Sequence, residues 1–262
     1  MTISCLCPTY RRPEPIVANV IACFEAQTHA DRELVVLDDA GELAAAAGDR
    51  WRIVSQPDRF ATLAEKYNAL AELGGDAAAI AVWEDDDVYL PWHLEAHARA
   101  LDRHAWSLPA ESWSLYTGEL QRRRKRYHGA LACRREAWEA VGGWPVTRAS
   151  NFDRLFIGRL AAAFGPPGDP CEHGPPGYVF RWHTGSYHGQ HFMAGSGSVG
   201  WYERAGEVPR QGAGIVVRPR LDPETRELLA SGEWGEDSPQ RHGGHGHPAI
   251  RAGRGCTADR RR

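Results

Sequence analysis

Short apolar runs alternate with helically spaced apolar residues along the first hundred positions of the chain. Runs typical of buried strands lie at 3–7, 33–37, 51–54 and 78–83. Apolar residues recur at helical spacing over 15–26, 61–73 and 92–101, and an alanine-rich helix is predicted after Gly41. This alternation predicts βαβ units, and therefore an α/β fold with a mostly parallel sheet flanked by helices.

The pattern becomes less regular after residue 103. Strands are predicted at 113–116, 129–133 and 178–182. One helix is predicted from Arg135 to the glycine pair 142–143, and another over 152–164 with Asn151 as its cap. We expect one domain over 1–205 and an extension over 206–262. Glycine, histidine and arginine dominate from about residue 239, which predicts disorder there.

Four acids follow the apolar run at 78–83 without a break: Glu84, Asp85, Asp86 and Asp87. Open α/β sheets bind ligands just beyond the carboxyl ends of such strands. Close carboxylates repel one another by about 1 kcal/mol per pair even in water, and a bound cation would relieve that repulsion. Oxygen ligands suit Mg²⁺ or Mn²⁺. The segment fits either a cation site or a solvated acidic turn.

A second pair of acids, Asp38 and Asp39, follows the run at 33–37. In a parallel sheet this pair and the four acids lie at the same edge. An acid placed there accepts hydrogen bonds from a base or a ribose. The alternative for either aspartate is a turn in which its side chain bonds the local backbone.

The composition narrows the class of protein. The chain has 262 residues and a net charge of −3, which gives no reason to expect nucleic acid as a partner. No stretch approaches the roughly 20 apolar residues of a transmembrane span, and no signal peptide is recognised. Six scattered cysteines without a Cys-x-x-Cys pair predict free thiols. We therefore expect a cytoplasmic protein with no transmembrane segment.

Four motifs together resemble a known family. They are the segments 7–13 (CPTYRRP), 34–41 (LVVLDDAG), 66–69 (KYNA) and 83–91 (WEDDDVYLP). In order and spacing they resemble the GT-A glycosyltransferases of family 2, over about residues 3–165. The resemblance implies a Rossmann-like GT-A fold over 1–205, with a nucleotide-sugar half (1–103) and an acceptor half (104–205).

The resemblance also implies a reaction. A sugar would pass from a nucleotide diphosphate sugar, usually UDP-linked, to an acceptor hydroxyl, with inversion and with Mn²⁺ or Mg²⁺ as cofactor. The acceptor would be a glycan, a lipid-linked molecule or a small molecule, so a peripheral position at the inner membrane face is compatible with it. Charge development on the diphosphate explains the need for a metal, and the acceptor hydroxyl needs a base.

By position in the family, several residues would contact the donor: Pro8, Thr9, Tyr10, Arg12, Asp38, Asp39, Lys66, Asn68, Glu84 and Asp85. Segment 84–86 overlays the family's Asp-x-Asp signature, with glutamate as its first acid. Asp86 would bind the metal with support from Asp87. A late histidine near the metal in some members would correspond to His183.

The base would be Asp153. Segments 141–144 and 151–160 resemble the family's Gly-Gly-Phe followed by Glu-Asp and a helix, although Phe152 replaces the usual glutamate. The alternative is that Asp153 lies in a first helical turn because acids favour that end of the dipole. Trp144, beside the glycine pair, is the predicted acceptor contact. The basic run 122–126 fits either an anion site or a solvated hairpin.

Two other classes compete with a glycosyltransferase. A sugar nucleotidyltransferase also combines a parallel sheet with acids and a metal, but its phosphate loop is glycine-rich, and segment 9–13 has no glycine. A non-catalytic protein that binds nucleotide sugars or glycans would tolerate the departures at Glu84 and Phe152. Turnover of a nucleotide sugar distinguishes these classes.

Overall fold

The computed structural model describes residues 1–12, 14–114, 119–122, 127–147 and 151–180. Within these ranges the strands are β1 (Ile3–Thr9), β2 (Arg32–Asp38), β3 (Ala46–Ala47), β4 (Trp51–Ser55), β5 (Ala79–Val82), β6 (Val88–Tyr89), β7 (Trp106–Ser107), β8 (Glu111–Ser114), β9 (Glu119–Arg122), β10 (Ala132–Arg134) and β11 (Tyr178–Phe180). The α-helices are α1 (Glu14–Glu25), α2 (Leu63–Leu73), α3 (His93–Leu101), α4 (Arg135–Ala140) and α5 (Phe152–Phe164). The extension at 206–262 lies outside the described residues.

Seven of these strands form the central sheet, in the order β3-β4-β2-β1-β5-β10-β7. Strands β4, β2, β1 and β5 are parallel, and β3 and β10 pair antiparallel with their neighbours. The mostly parallel mixed sheet predicted from the sequence is therefore confirmed. Residues of β1, β2 and β5 such as Leu6, Val35 and Ala81 are at most 1% exposed, because helices and loops cover the sheet.

Four other strands form a second sheet, in the order β6-β11-β8-β9. Strand β6 follows the four acids directly and pairs antiparallel with β11, which aligns Tyr178 with Tyr89. This pairing matters for the site, because it brings residues about ninety positions apart to the two sides of the acid segment.

The alanine-rich helix predicted after Gly41 does not form. Residues 46–47 instead make the exposed strand β3, which pairs antiparallel with β4. Gly41 has a left-handed φ of 67°, and the Gly48 amide bonds the Trp51 carbonyl to close a turn. The apolar segment between these two glycines is too short to repay helix nucleation.

Two further predictions need correction. The strand predicted at 129–133 is divided: His128–Ala130 form a 3-10 turn, and β10 begins only at Ala132. Helix α5 has the predicted bounds, but the Asn151 side chain makes no capping hydrogen bond. The 3-10 turn is consequential, because it points His128 and Gly129 toward the acids.

Two buried histidines of α3 should make the folded protein less stable at acidic pH. His97 is 0% exposed and its Nδ1 lies 2.9 Å from the Ser107 hydroxyl, while the His93 ring lies 4.5 Å from the His97 ring. Burial lowers the pKa of His97 to about 3, and burial together with His97 lowers the pKa of His93 well below its usual value. At pH values between the folded pKa and about 6.5, the unfolded chain therefore binds protons that the folded chain excludes.

The free energy of unfolding should therefore fall as the pH is lowered below about 6.5, by about 1.4 kcal/mol per pH unit for each histidine. Urea unfolding at half-unit intervals from pH 7.5 to 4.5 measures the slope. His97→Asn keeps a polar partner for Ser107 but cannot titrate, so its slope should be smaller by about one proton. Equal slopes in the two proteins would contradict this account.

Candidate active site

Three of the four acids after β5 converge. Glu84, Asp86 and Asp87 each offer a carboxylate oxygen, and these oxygens lie within 4.8 Å of one another. Mg²⁺ binds oxygen ligands at about 2.0–2.1 Å, so the three carboxylates would draw closer together to hold an ion between them. An all-oxygen set of this kind suits Mg²⁺ or Mn²⁺. The residues present therefore fit the divalent metal that the sequence predicts.

Two tyrosines of the second sheet, Tyr89 of β6 and Tyr178 of β11, hold this acid segment. The Tyr89 hydroxyl accepts a hydrogen bond from the Glu84 amide at 2.7 Å and donates one to the Gly129 carbonyl at 2.9 Å. The Tyr178 hydroxyl donates to Asp87. A Cβ added at Gly129 would lie 2.8 Å from the Tyr178 hydroxyl and 3.0 Å from the Glu84 carboxyl carbon. The close approach explains why this position is glycine.

Asp85 is not part of this cluster and is held by β1 and the loop after it. Its Oδ2 accepts hydrogen bonds from the Thr9 hydroxyl at 2.8 Å and from Arg12 Nε at 2.9 Å. The same guanidinium reaches Asp86 at 3.5 Å. Arg12 therefore links Asp85, which is 5% exposed, to a candidate metal ligand. The direct donor contacts predicted for Thr9, Arg12 and Asp85 stay predictions.

The paired acids at the end of β2 have different surroundings. Asp38 accepts hydrogen bonds from the amides of residues 40, 42 and 43 and from the Ser55 hydroxyl. This is the turn geometry that the sequence left open as an alternative. Asp39 forms a buried ion pair with Lys66, whose Nζ also donates to the Thr9 carbonyl at 2.5 Å. Burial lowers the pKa of Lys66, and Asp39 opposes that shift.

Removing the buried cation should destabilise the protein strongly. We expect Lys66→Met to lower the free energy of unfolding by about 3–5 kcal/mol, because Asp39 would remain buried without a counter-charge. Urea unfolding measures the change, and the double variant Lys66→Met with Asp39→Asn should recover part of it. The exposed pair Glu95–Arg99 is the control, since Arg99→Ala should cost no more than about 0.5 kcal/mol. If Lys66→Met and Arg99→Ala lowered the free energy of unfolding by similar amounts, the assignment of Lys66 and Asp39 as a stabilising buried ion pair would be contradicted.

Two guanidinium groups lie near the ring of Tyr10, just after the end of β1. The Arg59 guanidinium carbon is 4.2 Å from the centre of the Tyr10 ring and that of Arg11 is 5.4 Å away. Arg11 has a left-handed φ of 51°, an unfavourable conformation for a residue with a side chain. Arg59 was not predicted from the sequence, because it carries no motif and only the fold brings it to Tyr10.

Asn68 and Trp144 join helix α2 to the glycine turn before α5. The Asn68 amide donates to the Trp144 carbonyl at 2.9 Å and accepts from the Trp144 amide at 2.8 Å. Both ends of this side chain are thus engaged within the chain, and its predicted donor contact stays a prediction. The left-handed Gly143 (φ 68°) precedes Trp144, and a Cβ there would lie 2.6 Å from Asn68 Oδ1.

Trp144, the predicted acceptor contact, lies in the core, and its contact with an acceptor stays a prediction. Its side chain is buried, with the residue 1% exposed, and its ring stacks on Tyr67 with the centroids 5.1 Å apart. The indole nitrogen donates to His128 Nε2 at 2.8 Å. This large apolar ring next to a glycine turn therefore packs into the core against Tyr67 and His128.

Asp153 lies in the first turn of α5, and its charge acts on the acid segment. Burial, followed by the charges of Asp86 and Asp153, raises the pKa of Glu84. Asp153 also acts on His128, where burial lowers the pKa and the Asp153 charge opposes that shift. These couplings place Asp153 near Glu84, although about seventy residues separate them in sequence. The position of His183 lies outside the described residues.

A mostly parallel sheet with acids at its carboxyl edge and a cluster able to hold a divalent metal define an α/β domain with a candidate site where such sheets bind ligands. Residues 4–155 match the profile described as "Glycosyl transferase family 2". The chain therefore belongs to glycosyl transferase family 2, as the motif resemblance indicated. No curated protein matches the chain.

Solved structures share the fold. Crystal structures of S. aureus TarS 1–349 in complex with UDP-GlcNAc and with UDP match at TM-scores of 0.52 and 0.50, with 13% and 14% sequence identity. The matches cover 74% of this chain and 66% and 64% of those chains. The chain thus spans less than two thirds of the TarS chains. At this identity the likeness establishes the GT-A fold and nothing further. Among the described residues no helix is long and apolar enough to cross a bilayer.

Proposed function

We propose that the protein transfers a sugar from a nucleotide diphosphate sugar to an acceptor hydroxyl, with inversion at the anomeric carbon. The observation that carries the proposal is the convergence of two groups from distant segments. The carboxylates of Glu84, Asp86 and Asp87 form one cluster, and the charge of Asp153 reaches Glu84 from helix α5. The carboxylate cluster suits a metal ion bound to the diphosphate of the donor. Asp153 suits the role of base for the acceptor hydroxyl.

In the proposed reaction, Asp153 accepts the proton of the acceptor hydroxyl as that oxygen attacks the anomeric carbon. A new carbon–oxygen bond forms as the bond to the diphosphate oxygen breaks, and the electron pair leaves with the nucleoside diphosphate. The products are the glycoside, the nucleoside diphosphate and a proton held by Asp153. In-line attack on the face opposite the leaving group produces inversion.

The acid cluster would hold Mn²⁺ or Mg²⁺ through Glu84, Asp86 and Asp87. When bound, the ion supplies charge stabilisation to the diphosphate leaving group. Arg12 would keep Asp86 oriented and Tyr178 would keep Asp87 oriented, because each already contacts that carboxylate. The ion pair of Lys66 with Asp39 would fix the end of β1, where Thr9 and Tyr10 lie, against helix α2.

For the donor we propose a UDP sugar. The family resemblance favours uridine nucleotides, and the TarS 1–349 structures contain UDP and UDP-GlcNAc. Tyr10, half-buried with Arg11 and Arg59 near its ring, offers an aromatic face and nearby positive charge just after the end of β1. The acceptor is proposed only as a hydroxyl-bearing glycan, lipid-linked molecule or small molecule.

Thermal unfolding with a panel of nucleotides and nucleotide sugars, each with and without Mn²⁺, tests the donor. We expect UDP and at least one UDP sugar to raise the Tm, and to do so more strongly with Mn²⁺, because a ligand that binds only the folded state stabilises it. No response to any nucleotide would overturn the proposal. Binding without release of UDP from any UDP sugar would instead favour the non-catalytic binding protein.

A further inference from the structure

Both positions at which the chain departs from the family motifs contact the same residue, His128. Glu84 stands where the family signature has aspartate, and its Oε1 lies 3.6 Å from His128 Nδ1. Phe152 stands where the usual residue is glutamate, and its ring lies edge-to-face on His128 with the centroids 5.6 Å apart. His128 is 7% exposed and belongs to the 3-10 turn before β10.

The tautomer of His128 follows from its partner on the other side. The indole nitrogen of Trp144 lies 2.8 Å from His128 Nε2, and an indole N–H can only donate. Nε2 must therefore be the bare nitrogen, so the ring is neutral and its proton is on Nδ1. That N–H faces the Glu84 carboxylate at 3.6 Å, which is longer than a hydrogen bond but within strong electrostatic range.

Aromatic packing fixes the ring in this orientation. Tyr67 stacks on Trp144 and contacts the edge of His128, with centroids 5.1 Å apart in both pairs. Tyr67 also lies 6.0 Å from Phe152, which immediately precedes Asp153. The His128 ring thus faces the acid segment with Nδ1 and contacts Phe152 at the start of α5.

We propose that His128 is a positioning residue: its Nδ1–H orients the Glu84 carboxylate toward the acid cluster, and its ring seats the first turn of α5, which carries Asp153. Glu84, which is longer than aspartate, and the apolar Phe152 then complement His128: Glu84 faces its Nδ1–H, and Phe152 packs on its ring. This inference rests on the proposed function for its consequence in catalysis, but its geometry can be tested without turnover.

Two variants separate orientation from packing. His128→Asn keeps an amide N–H at the place of Nδ1 but loses the ring, whereas His128→Phe keeps the ring and loses the N–H. Mn²⁺ alone is titrated into each protein, and the free ion is measured by electron paramagnetic resonance. We expect His128→Phe to weaken Mn²⁺ binding about 10–100-fold, as expected for loss of a group that orients a metal ligand, and His128→Asn to weaken it less than about 5-fold.

The opposite order, with His128→Phe binding Mn²⁺ as the wild type does and His128→Asn impaired, would overturn the proposal in favour of simple packing. Chemical denaturation of both variants keeps the comparison to folded protein. Glu84→Asp should weaken Mn²⁺ binding about as much as His128→Phe does. The double variant Glu84→Asp with His128→Phe should lose little more affinity than either single variant, because both substitutions remove the same contact. Additive losses would count against the contact.

The ring nitrogens give a second, independent measurement. In ¹⁵N-histidine-labelled protein, with the signal assigned from its absence in His128→Asn, His128 should carry its proton on Nδ1. Trp144→Phe retains the packing on Tyr67 but removes the indole donor, so it should shift His128 toward a mixture of tautomers. A proton on Nε2 in the wild type would overturn the proposal. Absence of sugar transfer with normal tautomer and Mn²⁺ results would overturn only the proposed function.

Discussion

Asp153→Asn should lower kcat for sugar transfer by about 10²–10⁴-fold, the range that a positioned general base contributes. The amide cannot accept the proton of the acceptor hydroxyl, so the nucleophile stays weak. UDP binding and Mn²⁺ binding should change little, because Asp153 lies in α5 and outside the cluster of Glu84, Asp86 and Asp87. Initial rates with the donor identified by thermal unfolding measure kcat, and calorimetric titration with UDP measures binding.

A matched variant tests the alternative that Asp153 only complements the helix dipole. Glu136 occupies the first turn of α4, as Asp153 does in α5, and its side chain is 75% exposed. Glu136→Gln should cost about 0.3–1 kcal/mol of stability at most and leave kcat unchanged. If Asp153→Asn behaves the same way, Asp153 is not the base.

Asp86→Asn should weaken Mn²⁺ binding by at least about tenfold and reduce transfer by several orders of magnitude. The substitution removes one of three converging carboxylates and the negative charge that Arg12 faces at 3.5 Å. The loss of charge stabilisation at the diphosphate should appear mainly in kcat, since that charge develops as the bond breaks. Electron paramagnetic resonance of Mn²⁺ and initial rates over a range of Mn²⁺ concentrations measure the two effects.

Asp85→Asn is the control, because Asp85 is adjacent in sequence but directed at Thr9 and Arg12. An asparagine oxygen still accepts from both, so Mn²⁺ affinity should stay within about threefold of wild type while the protein loses some stability. Equal loss of Mn²⁺ binding in the two variants would mean that the general negative charge of the segment, rather than the cluster, attracts the ion.

Much of the sheet could be predicted because its signal is local. The apolar run at 78–83 and its acids correspond to β5 and the segment that follows it, and α5 has the predicted bounds of Phe152–Phe164. The alanine run after Gly41 was misread, because alanine favours a helix only when the helix is long enough to nucleate. A pairing strand at β4 was available instead.

The site could be predicted only where a motif marks it. Asp86, Asp87 and Lys66 belong to motifs, and the structure places them as cluster members and as a buried cation. Arg59 and His128 lie in no motif and reach the site through the fold. The burial of Trp144 could not be predicted, because the sequence shows an aromatic residue near a turn but not which side of that turn is filled.

The sequence by itself determined the alternation of strands and helices in the first hundred residues apart from β3 and β6, the acids at the strand ends and the family. Those features are local, because they depend on the spacing of apolar residues and on the residue types within short segments of the chain. The tertiary structure alone decided which acids meet, that Asp85 faces Arg12 while Glu84 faces His128, and that Trp144 is buried. Contacts between residues 40 to 90 positions apart depend on how the two sheets and helix α5 pack, and no local pattern encodes that packing.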